Sequence, residues 1–190
     1  MNTQRVNKLH RGSIRLKDYN YAREGAYYVT VCVGDRKCLL GDMRNAEVIL
    51  NGAGKMVLRD WKELPQRFPN IEMDEFIVMP NHLHGIINIV SVDAMNHVGA
   101  GSPRPNDDEG RGNRAPTLGQ IVAYFKYQST KSINARTGGV IPARTPYPKI
   151  WQRNYYEHII RTETDLNKIR EYIKTNPAMW ERDRNKNEFY

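Results

Sequence analysis

Two histidines separated by one apolar residue have the clearest chemical potential in this sequence. His82 and His84 follow a Pro-Asn dipeptide, which favours a tight turn. Apolar runs on both sides of that turn, 71–79 and 83–90, predict a β-hairpin. Because side chains alternate along a strand, the two imidazoles face the same side. The pattern therefore predicts half of a metal site on a rigid strand.

A second candidate element lies near the C-terminal end of the sequence. Tyr172 and Asn176 fall on a predicted helix that starts with a capping pattern at Thr162 and ends before Pro177. Positions i and i+4 share a helix face, so Asn176 could offer an amide oxygen to a metal that Tyr172 also faces. Taken alone, such a tyrosine is more typical of packing and such an asparagine of a cap.

The elements that must position these residues follow from periodicity and turn chemistry. Strands are predicted over 26–33, over 46–50 and in the hairpin, with turns at Gly34-Asp35 and Gly41-Asp42 and a short extended piece at 150–152. Helices are predicted over 52–64, ended by Pro65, from a cap at Thr117 and from Thr162. This order predicts an α+β fold with the helices on one face of a mainly antiparallel sheet.

Length and charge point to one domain with a polyanionic partner. The 190 residues suit a single core, and the net charge is +8. Residues 1–24 hold six basic against two acidic residues, and residues 120–161 hold seven against one. Charge alone fits a solvated surface equally well, but aromatic residues interleaved with the second block favour nucleic acid.

Other features set limits on the class of protein. No apolar run approaches a membrane span, and the start of the chain lacks the apolar core of a signal peptide, so a cytoplasmic protein is expected. Cys32 and Cys38 form neither a disulfide framework nor a zinc ligand set. We expect a basic arm over 1–24, a domain over 25–180 with a long loop at 91–116, and a short tail over 181–190.

Three segments, in this order along the chain, resemble the signatures of a known family. They are 78–85 (VMPNHLHG), 151–161 (WQRNYYEHIIR) and 169–177 (IREYIKTNP). They resemble the REP-associated tyrosine transposases, which belong to the single-tyrosine HUH transposase superfamily. The resemblance extends from about Arg11 to Pro177.

The resemblance implies a ferredoxin-like domain that cuts and rejoins single-stranded DNA next to hairpins. It assigns His82 and His84 as ligands of Mg²⁺ or Mn²⁺, with Asn176 as a third ligand of the amide type. Tyr172 matches the nucleophile, which would form a covalent link to a 5′-phosphate and leave a free 3′-OH. Some relatives work as homodimers, so the resemblance leaves the oligomeric state open.

Further residues are candidates for contact with DNA. These are Arg15 in the basic arm, Lys126 and Tyr127 in the predicted third helix, and Arg153; Tyr127 also ranks second as nucleophile. The main alternative function is a domesticated, non-catalytic binder of DNA or RNA hairpins. A histidine-dependent phosphoesterase is disfavoured, because a third histidine would be needed where Ile86 stands.

Overall fold

The computed structural model describes residues 20–90, 116–136 and 149–182. Arg15, most of the predicted arm, nearly all of the predicted loop 91–116 and most of the tail lie outside the described residues. The strands are β1 (Gly25–Cys32), β2 (Gly41–Arg44), β3 (Glu47–Leu50), β4 (Ile71–Val78), β5 (His82–Ile89) and β6 (Tyr156–Ile160). The α-helices are α1 (Gly52–Lys62), α2 (Leu64–Arg67), α3 (Leu118–Arg136) and α4 (Glu163–Thr175), with 3-10 helices at Gly34–Arg36 and Asn176–Arg182.

A four-stranded antiparallel sheet forms the centre of the domain. Its order is β4-β5-β1-β6, so β5 and β1 are the inner strands and β6 is an edge strand. The predicted hairpin is confirmed as β4 and β5, with the turn at Pro80-Asn81 closed by a hydrogen bond from Met79 N to the His82 carbonyl. Strands β2 and β3 form a separate small hairpin.

One face of the sheet is covered by α1 and α3. Apolar side chains from alternate positions of β1 and β5, such as Val29, Val31 and Ile87, pack there against Trp61 and Phe125 in the main core. These helices begin where polar side chains cap their first turns. Asn51 accepts hydrogen bonds from two backbone amides of α1, and Thr117 accepts one at the start of α3.

The opposite face carries a smaller apolar cluster beneath α4. Tyr28, Ile86 and Ile160 project from the sheet and meet Ile173 of the helix, with Leu166 and Ile169 partly buried beside them. The α+β class with an antiparallel sheet is confirmed. The expected placement of helices on one face holds for α1 and α3, whereas α4 covers the other face because this second apolar cluster also needs cover.

The structure corrects two local expectations and contains one strand that was not predicted. Gly41-Asp42, predicted as a turn, begins β2, because pairing with β3 stabilises a segment too short and polar to be recognised. Pro65 does not end the helical region but occupies the first turn of α2, where its missing N–H is tolerated. Strand β6 was not predicted.

None of the helices in the described ranges combines the length and apolar character needed to span a bilayer.

Candidate active site

His82 and His84 begin β5 and point to the same side of the sheet, as their spacing predicts. Both side chains are buried, at 0% and 1% exposure, and their Nε2 atoms lie 2.9 Å apart. Their rings meet at a centroid distance of 4.4 Å. Two imidazole nitrogens that converge in this way can be ligands of a single ion.

The orientation of His82 is fixed by its neighbour Asn81. The Asn81 amide donates from Nδ2 to the Arg36 carbonyl at 2.9 Å, which identifies its Oδ1 as the atom 2.7 Å from His82 Nδ1. His82 Nδ1 therefore carries the proton and donates it, because Oδ1 can only accept. The lone pair of His82 is consequently on Nε2, the atom that faces His84.

His84 is held by two hydroxyls of the adjacent strand. The Tyr28 Oη and Thr30 Oγ1 atoms lie 2.7 and 2.9 Å from His84 Nδ1. A hydroxyl both donates and accepts, so this pair can serve either tautomer of the ring. Sequence reasoning missed Tyr28 and Thr30. Their alternation in β1 shows that they share a face, but only the register, with Thr30 opposite His84, brings them to the histidines.

The chain from Tyr172 to Trp180 passes over the histidine pair. The Tyr172 ring lies 5.3 Å from the His84 ring, centroid to centroid, and Trp180 stacks on His82 at 6.1 Å and 16°. Asn176 is midway between these two residues in the sequence and is 2% exposed. The Tyr172 side chain is 41% exposed, so a substrate can reach it. The structure thus brings together the histidine pair and Tyr172, the predicted nucleophile.

The residues present fit a divalent metal ion. The Asn176 Oδ1 atom is buried and has no hydrogen-bond partner, which is costly for an amide oxygen unless something else binds it. Within the described ranges no three His, Cys, Asp or Glu side chains gather, so a third protein ligand would be of another type. His82, His84 and Asn176 together could therefore hold one ion.

Two ion pairs attach α4 to β4 on either side of Tyr172. Arg170 donates to both carboxylate oxygens of Asp74, with the shortest contact at 2.7 Å, and Lys174 lies 3.2 Å from Glu75. Asp74 and Glu75 occupy a register irregularity of β4 between Met73 and Phe76. Hydrogen bonding from Arg170 lowers the pKa of the Asp74 carboxyl below its usual range, against an opposing effect of burial. The bulge therefore helps to position the helix that carries Tyr172.

The other predicted DNA contacts have different surroundings. The Lys126 ammonium lies 2.9, 3.3 and 3.0 Å from the carbonyls of Gln152, Arg153 and Asn154. Its three N–H donors are thus directed at protein oxygens, which disfavours a contact between Lys126 and a DNA phosphate. Arg153 is exposed. Tyr127 is 57% exposed on α3, which covers the sheet face opposite the histidines.

A solved transposase structure has a similar fold. The domain is similar to the solved structure of a REP-associated tyrosine transposase bound to a REP hairpin, with a TM-score of 0.53 and 20% sequence identity. The similarity covers 88% of this chain and 74% of that chain. At this identity the likeness establishes the architecture.

Sequence relatives identify the family. Over 174 residues the chain is 42% identical to an uncharacterised protein of Haemophilus influenzae, covering 92% of each protein. A second protein of the same organism, provisionally named a REP-associated tyrosine transposase, is 26% identical over 166 residues, 84% of this chain and 76% of its own length. No protein-family model matches the chain. The chain belongs to the same family as the first relative, and sequence and fold relate it to the REP-associated tyrosine transposases.

Proposed function

We propose that this protein is a metal-dependent endonuclease and strand transferase for single-stranded DNA, which acts next to hairpins through a covalent phosphotyrosine. One observation supports the proposal most: the exposed Tyr172 ring lies 5.3 Å from a buried histidine pair whose Nε2 atoms converge at 2.9 Å. A tyrosine nucleophile needs an electrophilic phosphate held beside it. The nearness of the histidine pair to Tyr172 supports the proposal that a phosphate is held there.

The reaction exchanges one phosphodiester for another. The Tyr172 oxygen attacks the scissile phosphorus and forms a P–O bond, while the bond from phosphorus to the 3′ oxygen breaks. The phenolic proton is lost and the leaving 3′ oxygen gains one, so the products are a 5′-phosphotyrosine and a free 3′-OH. Because bond types on the two sides match, a 3′-OH can reverse the step and rejoin a strand.

His82, His84 and Asn176 are the proposed ligands of Mg²⁺ or Mn²⁺. Two imidazoles in the set favour Mn²⁺ over Mg²⁺. When bound, the ion would supply Lewis-acid polarisation of the phosphate and offset its developing charge. The protein's own contribution is orientation: Asn81 fixes His82, the hydroxyls of Tyr28 and Thr30 hold His84, and burial keeps both rings in place.

Hairpin DNA is the proposed partner. The solved transposase with the similar fold is bound to a REP hairpin, and the positive charge of this chain suits a polyanion. The exposed Arg153 remains a candidate for phosphate contact, as does Arg15 outside the described residues.

The proposal is tested with labelled single-stranded DNA that contains a hairpin, incubated with Mn²⁺ or Mg²⁺ and separated on a denaturing gel. We expect wild type to form a protein–DNA adduct, and we expect Tyr172→Phe or a chelator to abolish it. Tyr124→Phe, which removes a phenolic hydroxyl from α3 on the other sheet face, is the matched control and should keep the adduct. Hairpin binding without an adduct in wild type would instead support a non-catalytic binder of DNA or RNA hairpins.

A further inference from the structure

Tyr156 is an exposed aromatic residue on the same sheet face as the histidine pair. It is the first residue of the edge strand β6, and its register partner in β1 is Thr30, which contacts His84. The side chain is 44% exposed, although most large apolar side chains of the sheet are buried. A single exposed ring needs no explanation by itself, so a binding role for Tyr156 depends on the groups that surround it.

Tyr156 and Tyr172 both contact one buried tyrosine, Tyr28. The Tyr28 ring, 5% exposed, meets Tyr156 edge to face at 6.1 Å and 68°, and meets Tyr172 at 6.3 Å and 87°. The Tyr28 hydroxyl also contacts His84. Tyr156 is therefore one aromatic ring away from both the proposed nucleophile and a proposed metal ligand.

The segment that leads into Tyr156 is held firmly by α3. Lys126 engages three consecutive carbonyls of that segment and lies 5.5 Å from the centre of the Tyr155 ring. One turn further along α3, Ser129 accepts a hydrogen bond from Trp151 Nε1 at 2.9 Å. Because these contacts already order the segment, binding through Tyr156 would cost little conformational entropy.

Two exposed arginines lie within five residues of Tyr156 in the sequence. Arg153 precedes Tyr156 by three residues, Arg161 follows β6, and both side chains are exposed. An aromatic face between cations is the usual composition of a surface for single-stranded nucleic acid, in which bases stack on the ring and phosphates meet the cations. Bases inside a double-stranded stem could not use the ring in this way, because both of their faces are already stacked.

We propose that Tyr156 stacks on an unpaired base of the DNA strand, next to the phosphate that Tyr172 attacks. The inference rests on the proposed function and adds a residue that determines which DNA is bound. It requires the substrate to have an unpaired extension beside the hairpin. Loss of the ring should weaken binding of extended DNA and leave binding of a blunt hairpin unchanged.

The test compares two DNAs, a hairpin with a single-stranded extension and the same hairpin without it, by fluorescence anisotropy. For Tyr156→Ala we expect the Kd for the extended hairpin to rise about tenfold while that for the blunt hairpin stays constant. Tyr156→Phe should bind like wild type. Ile49→Ala, which alters a side chain of similar exposure on β3, is the control and should change neither value.

The outcomes separate this inference from the function on which it rests. If wild type forms the adduct but Tyr156→Ala binds both DNAs like wild type, the stacking role is wrong and the proposed function stands. An equal loss for both DNAs would also overturn it. If wild type binds neither DNA, both proposals fail. Tyr156→Thr, which keeps strand propensity, provides a second variant if the alanine variant does not fold.

Discussion

The two candidate metal ligands differ in how firmly their protonation is set. Asn81 imposes one tautomer on His82, because its amide is itself oriented by the Arg36 carbonyl. The Tyr28 and Thr30 hydroxyls accept either tautomer of His84. His82 is thus fully preorganised to present an unprotonated Nε2, whereas His84 can adjust. Groups that orient a ligand in this way commonly affect metal affinity strongly.

Replacing Asn81 should therefore weaken metal binding more than replacing the Tyr28 hydroxyl. We expect Asn81→Ala to reduce Mn²⁺ affinity by about 10- to 100-fold and Tyr28→Phe to reduce it less, because Thr30 still contacts His84. Mn²⁺ titration of tryptophan fluorescence measures this, since Trp180 stacks on His82. Asn20→Ala, an exposed change in a turn, is the control. A larger loss in Tyr28→Phe than in Asn81→Ala would refute this ranking.

What the sequence predicted at the residue scale depended on local spacing. The shared face of His82 and His84 follows from strand alternation, and the pairing of Tyr172 with Asn176 follows from helix spacing. The contacts of Tyr28 and Thr30 with His84 could not be predicted, because they depend on the register between β1 and β5, which are distant in sequence. The three backbone carbonyls around the Lys126 ammonium could not be predicted, because their positions depend on the path of residues 152–154, which has no regular periodicity.

At the scale of elements, the placement of α4 determines whether Tyr172 reaches the histidines. Apolar packing of Ile173 holds the helix to the sheet, and the pair Asp74–Arg170 fixes it to the β4 bulge. Asp74 is mostly buried, with 13% side-chain exposure, and receives its hydrogen bonds on both oxygens. This geometry makes it more than an ordinary surface ion pair.

Asp74→Asn should destabilise the protein in a pH-dependent way. Because the folded-state pKa of Asp74 lies below its usual value, its contribution is complete above the unfolded pKa of about 4 and is lost as pH falls through the folded pKa. We expect a Tm about 2–4 °C below wild type at pH 5 to 7, and a smaller difference below pH 4. Thermal melts measure it, with the exposed Glu72→Gln on the same strand as control. A difference that stays constant down to pH 3 would rule out this linkage.

Close packing against β5, the strand that carries the two histidines, gives a second prediction at the scale of elements. A Cβ added at Gly85 would lie 2.5 Å from Trp61 Cζ2 and 3.2 Å from Phe76 Cβ. We expect Gly85→Ala to cost about 1–3 kcal/mol of unfolding free energy, measured by urea denaturation. At Gly34 the nearest atom would be 3.5 Å away, so Gly34→Ala is the control. Equal stability of Gly85→Ala and wild type would show that the strand is less tightly packed than described.

Elements with clear apolar patterns were predicted, whereas β2 and β6, which have weaker patterns, were not. The hairpin β4–β5, the cap of α3 and the cap of α4 follow directly from the sequence. Strand β6 is only five residues long (YEHII) and has no alternation of apolar and polar residues, so its strand structure depends on pairing with β1. The β2–β3 turn has positive φ at Asn45 and Ala46, and an Asn-Ala pair lacks the glycine that usually reveals such a turn.

At the scale of the whole molecule, the chain combines a net positive charge with a candidate site at which Tyr172 and Tyr156 are exposed to solvent. The net charge of +8, concentrated in residues 1–24 and 120–161, would attract a polyanion without reading its sequence. Tyr156, Tyr28 and the histidines lie on one sheet face, so the proposed selectivity for unpaired strands would belong to that face. Attraction and selectivity are therefore separable by experiment.

Hairpin binding should weaken steeply with salt. We expect affinity for a DNA hairpin to fall by about tenfold or more between ~50 mM and ~200 mM NaCl, because cations are released as basic side chains meet phosphates. Arg153→Ala should lower the slope of log Kd against log salt by about one phosphate contact. Fluorescence anisotropy over a salt series measures it. An affinity independent of salt would contradict a charge-driven interface.

The central claim, that Tyr172 attacks DNA, is tested most directly by locating the covalent link. The adduct formed with hairpin DNA is digested with nuclease and trypsin, and the modified peptide is sequenced by mass spectrometry. We predict a nucleotide on the peptide 171–174 (EYIK), the only tyrosine-containing fragment from α4. A nucleotide on 127–131 or 154–161 instead would place the nucleophile at Tyr127, Tyr155 or Tyr156 and contradict the account.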